Sequence, residues 1–100
     1  MKQIKIERLT EKDIIIPYEK IIKIEGGRHT RSFMITYAGD GSTSRKTWLQ
    51  YETTMAWYRI EDDGTEHKAV LVYDNDFDDF LDFIKFIIRQ NEEVKAIDSL

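Results

Sequence analysis

One stretch dictates what the rest of the chain must do: Asp74–Gln90, DNDFDDFLDFIKFIIRQ, the only strong helix signal present. Turning about 100° per residue from Phe77 brings Phe77, Phe80, Leu81, Ile84, Ile87 and Ile88 within about 120° of one another. Such a stripe needs an apolar surface to lie on. Everything before it reads as strands, and a sheet with one apolar face needs a cover. The pattern therefore predicts a helix over about 76–90 that acts as a lid, with Asn75 or Asp76 as its N-cap. Asp74, Asp76, Asp78, Asp79 and Asp82 crowd the end where the helix dipole favours negative charge, and Lys85 and Arg89 lie further along, where it favours positive charge.

The same aspartates invite a calcium reading. A helix-hand loop needs Asp-x-Asp-x-Asp-Gly and a Glu at its twelfth position. Asp79 stands in place of the Gly and Lys85 in place of the Glu. Dipole and solubility account for the acidic cluster better, and no metal or cofactor is expected. Two residues do not fit a one-sided helix: Phe83 lies on the flank of the stripe, and Phe86 points nearly opposite to it. Either these are ordinary exposed apolar residues, or the outer face of the helix meets another chain. The tail Asn91–Leu100 either extends the helix or frays, and its Val94 and Ile97 need something to pack on.

The strand signals lie within residues 3–73. Gln3–Leu9 alternates, with Ile4 and Ile6 on one side and Lys5 and Glu7 on the other. Asp13–Pro17 is β-branched and is ended, or pushed to an edge, by Pro17. Gly26-Gly27 breaks the strand that begins at Ile21. Ala38–Ser44 reads as a hairpin loop, and Asp62-Asp63-Gly64 is the clearest tight turn, because Asp-Gly tolerates the left-handed conformations such turns need. Six to seven strands with short connections predict antiparallel pairing of sequence neighbours. The expected fold class is α+β: a strongly bent antiparallel sheet or half-barrel closed by one C-terminal helix.

At 100 residues the chain reads as a single domain over 1–100. It has no cysteine, which fits a reducing compartment and gives the expectation of a cytoplasmic protein. The net charge of −4 makes nucleic acid an unexpected partner and disfavours a membrane lipid headgroup without closing that option. No apolar run reaches the ~20 residues of a membrane span, and MKQIKIERL lacks the apolar core of a signal peptide.

One segment, Ile14–Ile24 (IIIPYEKIIKI), resembles the I-P-Y-x-x-I-x-x-I bend of the bacterial pleckstrin-homology-like domains, with Ile16, Pro17, Tyr18, Ile21 and Ile24 in the matching places. The acidic-aromatic helix Asp76–Ile88 also looks like the C-terminal helix that plugs the seven-strand half-barrel of that family. The resemblance implies a scaffold that binds lipids, peptides or identical subunits and has no enzyme activity.

The residues themselves carry little catalytic signal. His29 reads as a loop residue and His67 as a strand residue, and Glu66 and His67, being adjacent on a strand, face opposite sides. No nucleophile-elbow, phosphate-loop or His-x-x-x-His pattern is present. A non-enzymatic protein is expected. A small enzyme of cystatin-like α+β type remains a further reading, and a buried His67 beside a carboxylate in a deep pocket would mark it.

Two kinds of binding surface remain. Arg28 and Arg31 flank one turn with His29, and Arg45 and Lys46 flank the Ala38–Ser44 loop. These four cations are the candidate anion or lipid-headgroup site. Up-and-down connectivity, however, places the first turn beside Asp74–Asp79 and the second loop beside Glu61, Asp62 and Asp63, which predicts mutual neutralisation. Trp48, Tyr51, Trp57, Tyr58 and Tyr73 exceed what one small core needs, so alternation must turn some of them outward. Trp48, Tyr51, Trp57, Phe83 and Phe86 are the candidate interface residues. The leading expectation is a protein-interaction module, with a protein partner or a second copy engaged through a sheet edge and the outer face of the last helix. Anion binding is the alternative.

Overall fold

The computed structural model describes residues 1–41 and 43–98. Seven strands precede one helix: β1 (Gln3–Arg8), β2 (Ile14–Pro17), β3 (Ile21–Gly27), β4 (Ser32–Ala38), β5 (Ser44–Gln50), β6 (Thr54–Ile60), β7 (Glu66–Val70) and α1 (Asp74–Asp98). They form two antiparallel sheets, β2-β1-β6-β7 and β3-β4-β5, with α1 packed mainly on β3. The fold class is α+β as expected, with no closed barrel.

Pairing follows the chain only in part. β1–β2, β3–β4, β4–β5 and β6–β7 are hairpin neighbours, as the short connections predicted. β2 and β3 are not paired in either sheet. Pro17 is extended (φ −61°, ψ 139°), and Tyr18–Lys20 then makes a single 3₁₀ turn that swings the chain from one sheet to the other. A second corner separates β5 from β6, where the Tyr51 amide donates to the Arg31 carbonyl at 3.1 Å and the Thr53 amide to that of Gln50 at 3.2 Å. The pairing that completes the larger sheet is non-local: β1 lies against β6 from Gln3↔Ile60 to Arg8↔Thr54. Strict neighbour pairing is therefore corrected, because both corners divert a strand from the one before it.

Alternation decides which side chains go inside. Ile4 lies opposite Ile16 and Arg59, and Ile6 opposite Ile14 and Trp57, so Ile4, Ile6, Ile16 and Trp57 share the inner face. From the smaller sheet come Ile21, Phe33, Ile35 and Leu49. The helix completes the core with Phe77, Phe80, Ile84 and Ile87, four residues of the expected stripe. Leu81 and Ile88 are half-buried at its margin.

The helix is longer than its core-facing stripe requires. It runs for 25 residues instead of ending near Gln90, about 37 Å at 1.5 Å per residue, against a longest molecular dimension of 43 Å. Its start also differs from expectation. Asp74 is the first helical residue, which puts Asp76 in the first turn; its carboxylate reaches back to accept the amides of Val72 (2.9 Å) and Tyr73 (2.8 Å). That is the backward half of a capping box, not an N-cap. These two backbone amides, Tyr73 first, hold the Asp76 carboxyl below its ordinary range. Ser42, in the expected Ala38–Ser44 loop, and Ser99 and Leu100, at the end of the tail, lie outside the described residues.

Candidate functional site

The last helix carries two apolar faces. The first is the core stripe just described. It ends at Asn91, whose side-chain amide donates to the main-chain oxygens of Tyr18 (2.8 Å) and Ile21 (3.0 Å). Beyond that anchor, Glu92–Asp98 run on as exposed helix. The second face begins where the first has its flank. Phe83, Phe86, Gln90, Val94 and Ile97 fall within about 80° of one another at 100° per residue, centred about 120° away from the core stripe.

The N-terminal half of this second face is braced by the body of the protein. The Phe83 ring is 5.2 Å from that of Trp57, 5.9 Å from that of Tyr18 and 6.2 Å from that of Phe86. The Arg59 guanidinium lies over Phe83 at 5.7 Å. Phe86 leans on this cluster with 47% of its surface exposed. The C-terminal half overhangs: Val94 is 55% and Ile97 68% exposed. A β-branched residue in solvent on a helix gains nothing from packing and loses rotamer freedom, so this half of the stripe has no local reason to be apolar.

The other aromatic candidates separate. Trp48 stands 55% exposed on the outer face of the smaller sheet, opposite Met34. Tyr51 and Trp57 do not form an outer surface; each is 7% exposed. Register puts Trp57 beside Ile6 on the inner face. The second corner folds Tyr51 inward, where its ring stacks on that of Phe77 with centroids 3.8 Å apart and planes at 6°. Burial first, and the nearby Asp78 second, push the Tyr51 hydroxyl above its ordinary pKa. Of the five candidate interface residues, Phe83 and Phe86 are brought together, Trp48 is apart on another face, and two belong to the core.

The four cations do not converge either. Arg28 pairs with Asp78, so the β3–β4 turn does lie at the acidic end of α1. Arg31 is 3.7 Å from Glu52 and lies 5.6 Å from the Tyr51 ring centre. Arg45 and Lys46 make no ion pair among the described residues and, as neighbours on β5, face opposite sides. The predicted neutralisation of that loop by Glu61–Asp63 is not what forms. The Met1 amino group meets Asp62 at 3.0 Å, and Lys2 (3.9 Å) and His67 (3.7 Å) meet Glu61. The pairing of β1 with β6 carries the N-terminus to those carboxylates.

His67 stands exposed on β7, not buried in a pocket beside a carboxylate. Among the described residues no group of three or more His, Asp or Glu side chains is arranged to hold a metal ion, and no helix is long and apolar enough to cross a membrane. An open concavity of about 590 Å³ lies between the β1–β2 region (Arg8, Glu11, Ile14) and β4–β5 (Tyr37, Lys46, Trp48). Arg8 is already committed there to Glu11 and, at 2.7 and 3.0 Å, to the Lys12 carbonyl.

The continuation of the second stripe through Gln90, Val94 and Ile97 was missed by sequence reasoning that treated residues 91–100 as a tail. The spacing from Phe83 carried the signal: steps of three, four, four and three residues. No protein-family model, no curated protein and no solved structure matches the chain.

Proposed function

We propose that this protein is a non-enzymatic interaction module that associates with itself through the outer face of α1. The observation that carries the reading is the second apolar stripe, half braced on Trp57 and Tyr18 and half projecting past the domain. A second apolar face on a helix gains from being covered. The sheets cover one. The scaffold beneath it is, in our reading, pleckstrin-homology-like; seven strands in two antiparallel sheets with one C-terminal helix, and the bend at Pro17-Tyr18, support this. An anion site would have to rest on Arg45 and Lys46, because Arg28 and Arg31 are engaged with carboxylates.

The test is solution mass by light scattering between about 1 μM and about 1 mM, for the parent and for Phe86→Glu. A parent that forms a defined oligomer, with a folded, monomeric Phe86→Glu, supports the reading. A parent that stays monomeric throughout overturns it and moves attention to ligands for the β5 cations.

A further inference from the structure

The second stripe of α1 reads the same in both directions. Taking Gln90 as origin, its members stand at −7 (Phe83), −4 (Phe86), 0, +4 (Val94) and +7 (Ile97). Reversing the helix maps this set onto itself and exchanges the aromatic half for the β-branched half. That is the condition for an isologous two-fold contact, in which one patch meets its own copy. We propose that two copies of the chain pair their α1 helices antiparallel about a two-fold axis at Gln90. Phe83 of each then packs on Ile97 of the partner subunit, and Phe86 on Val94 of the partner subunit. The inference rests on self-association through this face and adds its partner, direction and register.

Two further features fit this arrangement. The first is support. The rings of Phe83 and Phe86 are held by Trp57, Tyr18 and each other, whereas Glu92–Asp98 project as exposed helix. In the antiparallel pair the braced half of each helix meets the overhanging half of the other, so both exposed halves are covered at once. The second is charge. Arg89 and Glu93 lie on the same flank of the stripe, and neither makes an ion pair within the chain among the described residues. Around an axis at Gln90, Glu93 stands within about 3 Å, measured along the helix, of Arg89 of the partner subunit. Symmetry makes two such pairs. Large residues facing smaller ones, with opposite charges alongside, is the pattern by which helices select direction and register.

The chain contains no cysteine, so single cysteines report on this geometry without background. Under mild oxidation Gln90→Cys should form a disulfide-linked dimer. Phe83→Cys and Ile97→Cys should cross-link when mixed and not when oxidised alone. Separately, Arg89→Glu and Glu93→Arg should each weaken association about tenfold, and the double substitution should recover most of that loss. A parent that dimerises while Phe83→Cys links to itself, or a double charge reversal as weak as the single ones, overturns the antiparallel register and leaves self-association standing. A parent that is monomeric up to about 1 mM overturns self-association and this arrangement with it. Circular dichroism of each variant confirms that an unfolded chain is not mistaken for a dissociated one.

Discussion

The side-chain amide of Asn91 donates to the main-chain oxygen of Tyr18 at 2.8 Å and so ties the last helix to the 3₁₀ turn where the chain changes sheets. The same amide also serves Ile21, at 3.0 Å. One polar residue thus ties the turn and the first residue of β3 to the helix. Asn91→Ala should lower stability by about 1–3 kcal/mol, since two hydrogen bonds are lost, while the Tyr18 carbonyl keeps the Ile21 amide as a partner. Urea denaturation measures this. A loss below about 0.5 kcal/mol would show that water replaces the amide at little cost.

Tyr51 is a buried ring whose hydroxyl finds no hydrogen-bond partner among the described residues. Its packing comes from the ring, stacked on Phe77 and 5.3 Å from the Phe33 ring. Tyr51→Phe keeps the ring and removes the unpaired hydroxyl. The expected change is between zero and about 1 kcal/mol of stabilisation. Tyr51→Ala should cost about 3–5 kcal/mol, in line with other large-to-small aromatic replacements. A Tyr51→Phe protein that melts well below the parent would mean that the hydroxyl is bonded after all.

Gly26 has φ +104°, and a Cβ placed on it would stand 2.2 Å from the carbonyl oxygen of Ser32. The obstacle is backbone, so it cannot swing aside. Gly26→Ala should destabilise by about 2–4 kcal/mol, combining the left-handed penalty with overpacking. Gly41 has φ +68° but open space around it, so Gly41→Ala should cost less. Comparing the two thermal midpoints separates clash from dihedral strain.

Asp76 links folding to pH. Its carboxyl is lowered from the ordinary value of 3.8 by accepting the amides of Tyr73 and Val72. The folded state therefore holds its proton less tightly than the unfolded chain. The stabilisation is complete above the unfolded value and is lost as pH falls through the folded one. Asp76→Asn should weaken the helix start at neutral pH and make little difference in strong acid. Amide exchange at Val72 and Tyr73 is the readout: faster in the variant at pH 7, and converging with the parent as pH drops below the folded value. Equal exchange at pH 7 would refute the capping role.

Phe86→Glu should leave the chain folded and, compared at a concentration where the parent is monomeric, cost less than a core substitution, because Phe86 belongs to the outer stripe and not to the core. Ile84→Ala, one step inside the core stripe, should cost about 2–5 kcal/mol. If both substitutions unfold the protein alike, the two faces of α1 are not distinct.

Local sequence determined the directions in which side chains point. The stripe Phe77–Ile88, the alternation in Gln3–Arg8 and the Asp62-Asp63-Gly64 turn can all be read within a window of a dozen residues, because a helix turns about 100° per residue, a strand 180°, and Asp-Gly suits a tight turn. The spacing of Phe83, Phe86, Gln90, Val94 and Ile97 was equally legible there. Only the tertiary structure decided what each direction meets. Which distant strand β1 would pair with, whether Tyr51 and Trp57 would turn into the core or out of it, and which carboxylate would engage Arg31 depend on two corners, at 18–20 and 50–53, that divert the chain from its nearest neighbour. A residue's own window is blind to that choice: contacts between distant segments are selected by the packing of the whole core and the entropy of closing the loops between them, and neither leaves a mark on local periodicity.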